Sequence, residues 1–314
     1  TSTARPRRVP ALLRRGMIRL ALALGVGLAL IPALAGCAPS ANNDPVLAMR
    51  VGGAPVTLSA YQQILALFTA SSALQTDASS APVGWADPSD RTMVATARDQ
   101  TVKFFINTLL LKTQLDKQHL TVTQKDIDVA VATLNSEIAN ARSQLAQTPG
   151  NGRLRQLVNS ATPDAVRWLA LQQAYTTVFL AKGQVPTAKV GGILVKTQTD
   201  ANTIYGQLQG GAVFAALAKA KSLDTSSGAN GGELGTIYVG QFVTAFDQEV
   251  FSARNVARYI VVPFQGSYGV FEIHSRGQSL LSAAGNTQSE QNYLNAWIDT
   301  VLTPQVSIEK YVGA

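Results

Sequence analysis

Gly231-Gly232-Glu233-Leu234-Gly235 holds three glycines in five residues and reads as a tight turn, with Glu233 part of its framework. A phosphate-binding loop is excluded, because the run from Gly228 to Gly235 lacks the Lys-Ser/Thr pair that reaches phosphate. Upstream, Lys189-Val190-Gly191-Gly192-Ile193-Leu194-Val195 is a short apolar run of strand character. A helix-patterned piece, Asp200 to Lys221, follows and leads into Ser222-Leu223-Asp224. Downstream stand Phe242, Phe246 and Phe251, then a final strand around Val270 to His274. Strand, helix, short helix, glycine turn, aromatic-bearing helix and closing strands make a mixed α+β domain over residues 187–278.

The N-terminus carries a different message. The formal charge of +7 invites an acidic partner, but Arg5, Arg7, Arg8, Arg14, Arg15 and Arg19 all precede Leu20. Without those six, 20 basic side chains face 19 acidic ones, which leaves no electrostatic footprint for nucleic acid. The arginines lead into an apolar run, Leu20 to Ala35, that ends in Leu34-Ala35-Gly36-Cys37. A basic segment, an apolar segment and small residues at its end form an export signal over residues 1–36. The final four residues match the bacterial lipobox, and Cys37, the chain's single cysteine, stands where the lipid attaches. A bilayer span needs about 20 apolar residues, so the run is short for a transmembrane anchor. With its one thiol assigned to a lipid, the chain has no disulfide, and its stability rests on its cores.

Residues 37–45 form a polar tether. Val46 to Val51 reads as a strand closed by Gly52-Gly53, and Thr57 or Ser59 caps a helix from Ala60 to Ala70. Residues 71–88, with Trp85, read as a loop. Ser89 or Asp90 starts a long helix to about His119, with Val102, Phe105, Ile106, Leu109, Leu110 and Leu115 near one face. Thr123 to Asp126 has the spacing of a capping box, Gln147 to Gly152 is a break, and Thr162-Pro163 opens a helix to about Lys182. Gly183 and Pro186 then read as a linker. Residues 46–182 are therefore mostly helical, and Ser289 to Tyr311 is helical again, interrupted by Pro304.

The order of elements around the glycine turn resembles a parvulin domain. With its helical flanks, the layout over residues 46–312 resembles the SurA/PrsA-type extracytoplasmic foldases, with specific motifs only in 188–278. The resemblance implies that the closing helix, 287–312, packs back on the N-terminal helices, making the parvulin domain an insertion. It also implies an activity: rotation about an X–Pro bond, whose barrier is about 18–20 kcal/mol. Parvulins resemble one another in pairing an apolar proline pocket with a polar cluster of two histidines, a Cys or Asp, and a Ser or Thr. Leu234, Phe242 and Phe246 stand at the pocket positions, Asp224 at the Cys/Asp position, and Ser222 two before it. The histidine positions hold Gly192 and Phe271. Tyr268 offers one hydroxyl, and His274, three residues from Phe271, points to the opposite face of the strand unless a bulge intervenes.

The resulting expectation is a lipid-anchored extracytoplasmic foldase or holdase. It binds unfolded or proline-containing segments of exported chains through a parvulin-like domain without its histidines. A working peptidyl-prolyl isomerase and a structural or ligand-binding surface lipoprotein are the alternatives. No cofactor is expected and no metal cluster is legible, since His119 and His274 lie far apart in the chain.

Overall fold

In a computed structural model the chain is described over residues 46–72, 74–76, 82–85, 91–146, 155, 158–251, 257–284 and 286–311. The export signal, Cys37, the tether and the break at Gln147 to Gly152 lie outside those residues. Contacts divide the chain into two units, one ending at Val178 and completed by residues from Val306, the other running from Phe179 to Gln305.

The first unit opens with β1 (Leu47–Val51) and β2 (Ala54–Thr57), an antiparallel pair across Gly52-Gly53. Thr57 caps α1 (Leu58–Ser72), its hydroxyl accepting from the Ala60 N–H at 3.2 Å. Part of the expected 71–88 loop is instead a small hairpin of β3 (Leu74–Thr76) and β4 (Pro82–Trp85). Helices α2 (Arg91–Lys117), α3 (Gln124–Ala146) and α4 (Pro163–Lys182) complete the helical part. The expected capping box is present: the Thr123 N–H donates to Asp126 Oδ2 at 2.8 Å, and the Asp126 N–H to Thr123 Oγ1 at 3.3 Å. Thr162 likewise accepts from the Ala165 N–H. The apolar stripe of α2 is core: Phe105 is fully buried, with Phe104, Tyr61 and Trp168 rings around it. Burying each such side chain contributes about 1.5–3 kcal/mol.

The second unit is built on a four-stranded antiparallel sheet in the order β6-β5-β8-β7. Its strands are β5 (Gln184–Val195), β6 (Glu233–Tyr238), β7 (Tyr259–Phe264) and β8 (Ser267–Leu280). No linker separates α4 from the sheet; β5 starts at Gln184 and contains Pro186. Pro186 is tolerated because it lies ahead of Thr187, where regular pairing with β6 begins; beside it on that side the Val239 N–H donates to its carbonyl at 3.3 Å, a bond that needs no N–H from proline. The piece read as one helical pattern, Asp200 to Lys221, is two helices, α5 (Gln198–Gln209) and α6 (Phe214–Lys221), divided at Gly210-Gly211. Short α7 (Thr225–Ala229) precedes the glycine turn, and α8 (Thr244–Phe251) carries Phe246.

Each sheet face has its own core. Val190, Ile237, Ile260, Val262, Phe271 and Ile273 pack with Phe246 and Val250 of α8. Ile193, Val195 and Val270 pack on the other side with Ala201, Ile204, Leu208, Phe214 and Ala218. The strand alternation dictates this split.

After β8 comes α9 (Thr287–Ala296), capped by Asn286 and followed by a π-helical turn, Trp297–Leu302. Pro304 lacks an N–H and its ring would strike the carbonyl four residues earlier, which accounts for the loosened turn. The Ile298 carbonyl accepts from the Thr303 N–H and also, at 2.8 Å, from the Thr303 hydroxyl. Two features depart from the expected closing helix. Residues through Gln305 group with the sheet-containing unit, where Tyr293 stacks on Tyr238 at 5.4 Å. The end of the stretch is a strand, β9 (Ile308–Lys310), paired antiparallel to β1.

Candidate functional site

Gly191 and Gly192 each bare one face of β5. A Cβ at Gly191 would lie 2.8 Å from the Phe214 ring, and one at Gly192 would lie 2.7 Å from Leu234 Cδ1 and 3.3 Å from the Phe271 ring. Side chains rather than backbone therefore exploit the space the two glycines leave. Gly192 and Phe271 are direct cross-strand partners. Leu234 reaches Gly192 because it is the extra residue of a bulge: Val190 pairs with Gly235 and Gly191 with Glu233, leaving Leu234 unpaired. The turn before it needs its glycine at 232, where φ is +82° and a Cβ would sit 2.7 Å from the Gly192 carbonyl oxygen.

Leu234, Phe242 and Phe246 do come together, as the sequence implies, but around Phe271. Phe246 meets Phe271 at 4.8 Å and Phe242 at 4.9 Å between centroids, both edge-on. Phe264, which the sequence reading missed, lies 5.5 Å from Phe242 and 6.1 Å from Phe271. Edge-to-face packing of this kind contributes about 0.5–1.5 kcal/mol per pair beyond burial. Phe246 has no exposure and Phe271 4%, while Leu234, Phe242 and Phe264 are partly exposed. Phe246 is thus core rather than an accessible pocket wall, a correction to its expected role.

The remaining expected site residues sit elsewhere. Tyr268 packs on the opposite face, with the Ile193, Val195 and Val270 cluster. The same alternation that separates 271 from 274 separates 268 from 271, so the sequence already held this signal. Asp224 is the N-cap of α7: its carboxylate accepts from the Ser226 and Ser227 N–H groups at 3.1 and 3.3 Å and from the Ser227 hydroxyl at 2.5 Å. The Ser227 hydroxyl, then the backbone donors, hold its carboxyl below the ordinary range. Ser222 ties α6 to β5, its hydroxyl accepting from the Leu194 N–H at 3.2 Å.

A bulge does intervene at His274, since Lys189 pairs with Ser275 and Val190 with Ile273. The imidazole nevertheless meets Glu233, Nε2 to Oε1 at 3.2 Å. Nearby Glu272, 6% exposed, accepts from Arg258 Nη2 at 2.7 Å and Nε at 3.0 Å, both on Oε1, while its Oε2 lies 3.9 Å from His274 Nδ1. Among the described residues no group of three or more His, Cys, Asp or Glu is arranged to hold a metal ion.

Asp247 is the least expected group of the domain. It is 1% exposed; Oδ2 accepts from the Gly240 N–H at 2.9 Å and Oδ1 has no partner. Burial, partly offset by that bond, pushes its pKa from 3.8 up to about 7.

Residues 184–277 match the family model of the PPIC-type PPIASE domain. The chain carries a parvulin domain. It is 30% identical over 175 residues to the Parvulin-like PPIase of Rickettsia bellii (strain RML369-C), covering 55% of this chain and 56% of that protein. It is 38% identical over 96 residues to the Periplasmic chaperone PpiD of Haemophilus influenzae, covering 30% of this chain and 15% of that one. Among solved structures it is similar to Peptidylprolyl Isomerase (PrsA) from Bacillus cereus, at 20% identity and a TM-score of 0.31, over 74% of this chain and 86% of that one. The chain spans about half the length of the Rickettsia relatives it matches, 56% or 51% of each. The parvulin domain is the β5–β8 sheet with its helices, and its glycine turn is the 231–235 stretch.

Proposed function

We propose that the protein is a membrane-anchored extracytoplasmic foldase or holdase. It holds unfolded or proline-containing segments of exported proteins, and its parvulin domain is a weak isomerase at best. One observation carries this reading: Gly192 and Phe271, which stand at the positions where the family resemblance puts two histidines, face each other across β5 and β8. Neither side chain can exchange a hydrogen bond or proton with a prolyl amide. Apolar contact that holds ground state and transition state alike tightens binding and leaves the rotational barrier standing. The similarity to proteins named as the periplasmic chaperone PpiD and the foldase PrsA supports the chaperone role and the extracytoplasmic setting. Among the described residues no helix is long and apolar enough to cross a membrane, and Cys37 after Leu34-Ala35-Gly36 supports attachment by lipid.

The test is two-dimensional NMR exchange on an X–Pro peptide with the full chain, without a coupling protease, beside suppression of aggregation of an unfolded client. Suppressed aggregation with no enhanced exchange is expected. An enhancement abolished by Asp224→Ala defeats the proposal in favour of the second reading, a working isomerase, which the relatives named Parvulin-like PPIase favour. A third reading, small-ligand binding, is favoured by one feature of the helical unit, a cleft of about 400 Å³ lined by Lys112, Asp116, His119 and Tyr175 among others. Membrane attachment is checked separately: Cys37→Ala moves the protein to the soluble fraction.

A further inference from the structure

The cleft of the helical unit has a built interior that the holding of clients does not use. It opens where α2 ends, and Tyr175 of α4 forms part of its wall. Its volume of about 400 Å³ lies within the range of about 300–1,000 Å³ usual for small-molecule sites. Tyr175 is 7% exposed, and among the described residues its hydroxyl has no hydrogen-bond partner. Tyr61 also lacks a partner, but its hydroxyl is buried; that of Tyr175 faces the cleft it lines. A hydroxyl at the end of a buried ring is thus held ready for a partner that the chain does not supply. Burial first, and then the Asp116 carboxylate, push its pKa up to about 12, so it stays protonated and able to donate.

The other walls decide what that partner is. Lys112 Nζ donates to both carboxylate oxygens of Asp116, at 2.7 and 2.9 Å, so the two charges cancel. His119 follows α2 with φ +54°, a conformation that favours glycine. Its N–H donates to the Asp116 carbonyl at 3.1 Å, and the Leu120 N–H to the Leu115 carbonyl at 2.9 Å. This closure fixes an imidazole at the cleft where glycine would leave bare backbone. Leu120 and Val122 add an apolar side. An anion entering here meets Asp116 and the negative end of α2, and a cation meets Lys112. A neutral hydroxyl suits both, because it accepts from Tyr175 or Lys112 and donates to Asp116. We propose that this cleft binds a neutral, hydroxyl-rich ligand, a mono- or disaccharide, with Tyr175 donating to one of its oxygens and the C–H face of the sugar against Leu120 and Val122. The proposal uses no residue of the parvulin sheet and stands whether or not that domain holds clients.

The test is saturation-transfer NMR on the full chain in a polyoxyethylene detergent, which carries no sugar. The probes are glucose, galactose, N-acetylglucosamine, maltose and sucrose, beside choline as a cation and acetate as an anion. At least one sugar receives saturation and titrates to a plateau, while choline and acetate do not. Tyr175→Phe keeps the ring and its packing, removes one hydroxyl, and raises the dissociation constant of that sugar about fivefold. His119→Gly suits the backbone turn and removes the imidazole; it weakens the sugar without lowering the urea midpoint, which a merely structural histidine would not do. Suppression of client aggregation is unchanged in both variants, so failure here and failure of the foldase reading are told apart. Saturation of no sugar overturns the proposal. So does preferential saturation of choline or acetate, and so does a sugar affinity that Tyr175→Phe and His119→Gly both leave unchanged.

Discussion

Replacing Asp247 with Asn should stabilise the protein in alkaline solution and do little in acid. The folded carboxyl has its midpoint near 7, against 3.8 when unfolded, because burial disfavours the charged form and only Gly240 donates to it. The folded state therefore binds more protons than the unfolded state between those two values. Stability falls as pH rises through that window, and the full penalty is in place above pH 7. Each pH unit between the midpoints is worth about 1.4 kcal/mol, so the rise from 3.8 to about 7 sets a ceiling of about 4 kcal/mol. Asn keeps an acceptor for the Gly240 N–H but places an amide donor where Oδ1 has no partner, an offset of about 1–3 kcal/mol that does not vary with pH. The assay is urea unfolding of both proteins at pH 5 and pH 8.5. The stability of Asp247→Asn relative to wild type should rise by about 2–4 kcal/mol between the two conditions. A difference that is flat in pH would refute the claim that this carboxyl is buried and poorly solvated.

Asp224→Ala should cost about 1 kcal/mol in a thermal melt at pH 7, the value of a helix cap, with aggregation suppression unchanged. Its folded midpoint lies below the unfolded one, so this contribution is present above pH 4 or so and fades as acid protonates the carboxylate. Gly240→Ala should destabilise by about 2–4 kcal/mol, because φ is +85° and the new methyl meets Ala296 Cβ at 2.4 Å. Ala296→Gly should recover part of that loss in a double-mutant cycle of urea midpoints. Gly192→His should lower the urea midpoint through its contacts with Leu234 and Phe271 and add no prolyl exchange; adding Phe271→Ala should recover part of the loss.

Much of the α+β domain was legible because its signals are local. The glycine turn, the strand before it and the spaced phenylalanines occur in a short order that a parvulin shares, and they all fall within the matched residues 184–277. Caps at Thr57, Thr123 and Thr162 were readable for the same reason, since each bond closes within a few residues. The apolar trio Leu234, Phe242 and Phe246 was named from the sequence, and it does assemble.

What the chain could not announce in one dimension depends on partners distant in sequence. Whether Phe271 fills the space beside Gly192 is a matter of register between β5 and β8, two strands separated by most of the domain. Whether Asp224 faces a pocket or caps α7 was decided by how the Ser226 and Ser227 backbone turns under it. The pairing of the C-terminal residues with β1, the bulge that aims Leu234 and the burial of Asp247 likewise arise only when separate segments meet. Composition and spacing determine which residues prefer helix, strand, turn or apolar surroundings. The tertiary structure determines which of them touch, because contact, desolvation and the loss of open volume are properties of pairs and not of any single residue.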